Sequence, residues 1–108
     1  MFPGMTERNP FVYILASGHY GTLYTGATSN LIGRIIQHCE GTFDGFTKEH
    51  NVTRLVWFEP ADTMEAAIAS EKRIKRWLRD WKIALIEREN RHREDLAIAL
   101  GLPPLRNL

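Results

Sequence analysis

The sequence predicts an α/β (α+β) domain, a small three-stranded antiparallel sheet flanked by helices. Three observations carry this reading. Two apolar runs rich in aromatic and β-branched residues, Phe11 to Ala16 and Thr22 to Ala27, flank a turn bearing Gly18 and Gly21. A third run, Val52 to Glu59, has the same composition and stops at Pro60, which cannot donate to a strand ladder. Between and after these runs, apolar residues recur at helical spacing behind residues suited to helix capping.

In chain order, residues 1–10 form a loose tail, since they lack the apolar core of a signal peptide. The first two strands form a hairpin, with His19 in its connection. Thr28, Ser29 and Asn30 then supply a cap for a helix from Leu31 to about Glu40. Leu31, Ile35 and Cys39 fall at i, i+4 and i+8 and face the core, and Arg34 and His38 share a neighbouring face. Gly41 suits the C′ position of that helix. Thr42 to Asn51 shows no period and is expected to be a loop, in which Phe43, Phe46, Lys48 and His50 are candidates for contacting a ligand or anchoring the loop.

After the third strand, Asp62 or Thr63 caps a long helix expected from Met64 to Arg79, with Glu65 in its first turn. Trp81 to Asn90 continues as a second helix or after a kink. His92 to Leu100 is expected to be a short helix stopped by Gly101, and residues 101–108 a frayed end. The domain thus spans 11–100.

At 108 residues there is room for one modest core, and 44% hydrophobic with 25% charged residues is ordinary for a soluble protein. No apolar run approaches the roughly 18 residues of a membrane span. The lone Cys39 has no internal disulfide partner, and a buried thiol fits a reducing cytoplasm. The net charge of +1 conceals an asymmetry, −4 over residues 1–71 and +6 over 72–93. The run Lys72-Arg73-Ile74-Lys75-Arg76-Trp77-Leu78-Arg79 belongs to the basic part. Clustered Lys and Arg bind phosphate backbones, so Lys72, Arg73, Lys75 and Arg76 are candidate nucleic-acid contacts.

One residue is out of place. Ala67, Ile74, Leu78 and Trp81 mark an apolar stripe, and Glu71 sits inside it. A carboxylate there needs a partner. Spacing leaves two readings open, a salt bridge (to Arg34, for example) or a divalent-cation ligand of the kind Mg²⁺ takes.

Tyr13 and Tyr24 on paired strands, followed by Arg34 and His38 one turn apart on the next helix, form a constellation that resembles the GIY-YIG endonuclease superfamily. The family's first motif reads Phe11-Val12-Tyr13 here and its second Tyr24-Thr25-Gly26; the glycine of the first motif is replaced by Phe11. Asn30-Leu31, Arg34 and His38 follow at the family's offsets, and the resemblance runs through Glu71 to about residue 90. It is similar to the small stand-alone, single-domain branch of that superfamily.

The resemblance implies Glu71 as the metal ligand, with Mg²⁺ (or Mn²⁺ in its place) as cofactor. It implies Tyr13 as proton acceptor from water, Tyr24 and His38 orienting and assisting, and Asn90 touching the site, although surface or capping use of Asn90 stays open. The residue types suit the chemistry. A cation at Glu71 offers Lewis-acid stabilisation, and the fork-shaped donors of Arg34 fit phosphate oxygens. A phenol of pKa ~10 serves as base only with help, and His38, ordinarily near ~6.5, is itself a candidate base. The implied activity is metal-dependent endonucleolytic cleavage of DNA, more than RNA, in repair or recombination. Dimerisation would let a one-site enzyme cut both strands. The alternative is a nucleic-acid-binding module that keeps the fold and basic helix face without turnover.

Overall fold

In the computed structural model, which describes residues 9–17, 21–40 (backbone only for 38–40), 54–92 and 94–96, three strands and three helices follow one another. They are β1 (Phe11–Ala16), β2 (Leu23–Thr28), α1 (Leu31–Glu40), β3 (Arg54–Pro60), α2 (Met64–Lys75) and α3 (Arg79–Glu89). The sheet is antiparallel with order β2-β1-β3. Residues 1–8 of the first tail, the 42–51 loop with Lys48, and the last tail lie outside the described residues.

β1 is the centre. All six of its residues are buried, because both of its faces are covered. Phe11, Tyr13 and Leu15 pack with Leu31 and Ile35 of α1 and with Leu55, while Val12, Ile14 and Ala16 pack with Val56, Trp57, Ile74, Leu85 and Ile86 on the other face. Alternation along one strand therefore divides the core into two halves. Phe11, standing where the family motif has glycine, is absorbed by an edge-on contact with Phe58 at 6.0 Å.

The register of β3 slips by one residue. Ile14 faces Trp57 but Leu15 faces Leu55, so Val56 is extra. Such a bulge leaves one residue without its ladder partner. Here Val56 and Trp57 both enter the same half of the core, and the side chain of Asn90 donates to the Val56 carbonyl at 3.1 Å.

The helix starts follow local chemistry. The Asn30 side chain accepts from the Gly33 N–H at 3.1 Å, and Thr28 Oγ1 accepts from the Asn30 N–H at 3.0 Å. Thr63 caps α2 by accepting from the Ala66 N–H at 3.0 Å, with Glu65 in the first turn.

Two expectations change. The long helix ends at Lys75, and α3 begins only at Arg79, after an extended Leu78. That break rotates the stripe: Leu78 and Trp81 are 66% and 58% exposed, and Leu85 and Ile86 are the buried residues of α3 instead. Trp77 stays half-buried and meets Trp81 edge-on. The helix expected from His92 does not form among the described residues of that stretch. The backbone there is committed elsewhere: Leu96 N–H donates to Leu55 O at 2.7 Å, and Asp95 Oδ1 accepts from Leu55 N–H at 3.2 Å. No helix among the described residues is long and apolar enough to cross a membrane.

Candidate active site

The site forms where α1 and α2 meet the β1–β2 ladder. Tyr13 projects from the central strand and has no exposed surface. Its cross-strand partner is Gly26. A methyl group at position 26 would lie 2.5 Å from Tyr13 Oη and 2.6 Å from Cζ, so glycine is what lets the phenol lie across β2. The second motif's glycine is thus a matter of space for the first motif's tyrosine.

Tyr24 is half-buried on the same half of the core, its ring centre 6.5 Å from that of Tyr13. Arg34 reaches from the first turns of α1 and hydrogen-bonds to the Tyr13 side chain. Burial pushes the Tyr13 pKa up, with Tyr24 and Glu71 adding to the rise and Arg34 opposing it. Tyr13 is therefore a neutral phenol at pH 7, with its proton held more tightly than usual.

Glu71 lies on α2, with its side chain only 20% exposed, and its Oε2 is 2.8 Å from Lys75 Nζ. Of the two readings that spacing leaves open for Glu71, a salt bridge is present, made by Lys75 and not by the Arg34 offered as an example, while Arg34 turns to Tyr13. A signal for this was present, since Glu followed by Lys at i+4 is the favoured order on a helix. Lys75 in turn holds its ammonium 6.0 Å from the centre of the Tyr24 ring. Tyr13, Tyr24, Arg34, Glu71 and Lys75 are in this way one connected group.

The remaining candidates divide. His38 belongs to the last turns of α1, and its side chain lies outside the described residues. Lys72, Arg73 and Arg76 are exposed on and just after α2, Arg73 bonding to Ser70 Oγ at 3.3 Å. Asn90 is buried and caps α3. Its Nδ2 donates to Val56 O and to Glu94 O, and its Oδ1 accepts from the Glu94 N–H. With its side chain engaged this way, Asn90 ties the chain after α3 to the bulge in β3.

Two cations of the basic segment 72–93 that are not among the candidate contacts also stand here. Lys82 of α3 lines a groove with Leu23, Tyr24, Thr25 and Lys75, and Arg79 donates to Gly21 O at 2.7 Å. They sit seven and four residues after Lys75, a helical spacing that the break between α2 and α3 interrupts.

Among the described residues no three His, Cys, Asp or Glu side chains gather as a metal cage. The donor set is one carboxylate, Glu71, already neutralising a cation in the form of Lys75. That set fits Mg²⁺, which keeps several waters and completes its shell with substrate phosphate.

Residues 9–84 match the model of the GIY-YIG catalytic domain. A UPF0213 protein of Pediococcus pentosaceus is 31% identical over 80 residues, covering 74% of this chain and 84% of the relative. One from Streptococcus pyogenes serotype M5 is 30% identical over 92 residues, covering 84% and 99%. The solution NMR structure of a UPF0213 protein from Bacillus halodurans is 30% identical and covers 76% of this chain and 86% of that one, at a TM-score of 0.48.

Proposed function

This chain belongs to the GIY-YIG catalytic domain family, a nuclease family, and from that premise we propose that it is a Mg²⁺-dependent endonuclease hydrolysing phosphodiester bonds in DNA. The observation that supports the reading best is the convergence of Tyr13, Tyr24, Arg34 and Glu71 from four different elements. Structural packing has no need to bring two phenols, a guanidinium and a carboxylate together.

In this reading Glu71 holds the cation, which supplies Lewis-acid stabilisation of the phosphate when bound. Arg34 offers its remaining donors to the phosphate oxygens while one orients Tyr13. Tyr13 accepts the proton of the attacking water. Its raised pKa makes it a strong acceptor once ionised and keeps most molecules protonated at pH 7, so the reaction should speed up in alkali. Tyr24, less buried than Tyr13, stands at the mouth of the site beside Lys75.

The test is cleavage of plasmid, single-stranded and branched DNA with Mg²⁺, Mn²⁺ or EDTA, comparing wild type with Glu71→Ala. Cutting that requires metal and drops at least a hundredfold in the folded variant is the expected result. Undiminished cutting by the variant would remove Glu71 from the mechanism. Binding of DNA by both proteins with no cutting by either would leave a binding module.

A further inference from the structure

The nuclease reading leaves one groove unused. It lies between β2 and the α2–α3 junction, measures about 340 Å³, and is lined by Leu23, Tyr24, Thr25, Lys75 and Lys82. That is at the small end for ligand sites, suited to a fragment such as a sugar-phosphate unit. It shares Tyr24 and Lys75 with the candidate active site, so a strand lying in one continues into the other.

We propose that Lys75, Arg79 and Lys82 form a second phosphate subsite, which grips a backbone phosphate of the substrate next to the one being cleaved. The proposal rests on the reading of this protein as a nuclease.

Three observations point to an anion. First, three cations are brought together by the fold, with Arg79 fixed beside the groove by its bond to Gly21 O at 2.7 Å. Second, the groups that act on the Lys82 ammonium all oppose its charge: burial first, then Arg79 and Lys75. Like charges crowded in partial burial gain most from a bound anion. Third, Thr25 lines the groove at 4% exposure, and its Oγ1 has no hydrogen-bond partner among the described residues. A buried hydroxyl without a partner is uncommon and calls for an explanation. A phosphate oxygen supplies one, reached as the lysine stems part to embrace the anion.

The experiment has two arms. In EDTA, binding of a short fluorescent DNA duplex is measured over about 50 to 200 mM salt for wild type, Lys82→Gln and, as a basic residue of α3 lining a different groove, Arg88→Gln. Lys82→Gln should weaken binding about fivefold and flatten the salt slope by about one, and Arg88→Gln should change it less than twofold. In the second arm, lysine-selective NMR follows wild type titrated with inorganic phosphate, and the Lys75 and Lys82 signals should move together and saturate. This arm needs no variant to fold.

If Lys82→Gln binds duplex with the affinity and slope of Arg88→Gln, the subsite is overturned, and wild-type cleavage judges the nuclease reading separately. If wild type neither cuts nor binds duplex yet phosphate saturates the two lysines, the subsite stands as a site for a phosphorylated ligand while the nuclease reading falls. Unmoved lysine signals overturn the subsite whatever the duplex does.

Discussion

The two edges of the sheet are finished in opposite ways. At the β3 edge, Leu55 exchanges bonds with Asp95 and Leu96, and Asn90 satisfies both the bulge at Val56 and the backbone of Glu94. At the β2 edge no further strand appears among the described residues. Tyr24, Lys75, Arg79 and Lys82 stand there instead, with a groove between them. Edge strands expose unpaired backbone and need management. One edge is closed by hydrogen bonds within the chain. The other is bordered by positive charge, which the proposed subsite would use to hold an anion. Stability and chemistry have been given separate edges.

The comparison breaks most visibly at Asn90. Asn90→Ala removes three hydrogen bonds and strands the Val56 carbonyl and the Glu94 backbone, which should cost about 3 kcal/mol. The midpoint of thermal unfolding, read by circular dichroism, should fall by roughly 10 °C or more. Cleavage per folded molecule at low temperature should survive. A loss of activity without a loss of stability would return Asn90 to the substrate.

Gly26→Ala attacks the other edge from within. A Cβ at 2.5 Å from Tyr13 Oη must push a fully buried ring aside, at about 2 kcal/mol for overpacking. Because the displaced atom is the phenol oxygen itself, activity should fall further than stability does. Parallel assays of cleavage and denaturant midpoint would separate the two.

Titration sharpens the comparison next. Burial raises the Tyr13 pKa, so the folded phenol keeps its proton where an unfolded one, near ~10, loses it. The stability from this group is complete below about pH 10 and drains away as pH climbs beyond it. Tyr13→Phe should soften that alkaline loss. For catalysis, kcat/KM should climb about tenfold per pH unit with no plateau through about pH 9. A plateau near ~6.5 would instead assign the proton to His38.

The smallest effect belongs to Thr25→Val. Removing a hydroxyl that has no partner should leave stability unchanged or raise it by up to about 1 kcal/mol. Duplex binding should weaken about twofold, a cost paid only in function.

Much of this was legible in the sequence. Strand composition, the caps at Asn30 and Thr63, and Pro60 are local signals, and the strands and the starts of α1 and α2 stand within a residue or two of where those signals put them. The pairing of Tyr13 with Gly26 was not legible: the expected strands, Phe11 to Ala16 and Thr22 to Ala27, would set Tyr13 opposite Thr25, and the observed β2 starts one residue later, at Leu23. The ordered set Tyr13, Tyr24, Arg34 and Glu71 was readable as a constellation, because motif spacing survives without any knowledge of contacts.

What local pattern could not decide was partnership. Arg34 had two acceptors within prospect, and only the packing of α1 against β1 gave it to Tyr13 and left Glu71 to Lys75. The break after Lys75 turned Leu78 and Trp81 outward, since a few residues of non-helical backbone reset the phase that a stripe depends on. Residues 94–96, inside the stretch expected to be helical, bond instead to the edge of β3 through Asp95 and Leu96. Sequence by itself determined the three strands and the starts of α1 and α2, because those depend on neighbours a few positions away. Which polar atom answers which, where a helix breaks and which edge stays open belonged to the tertiary structure, because a buried donor can bond only to an acceptor that packing brings within reach.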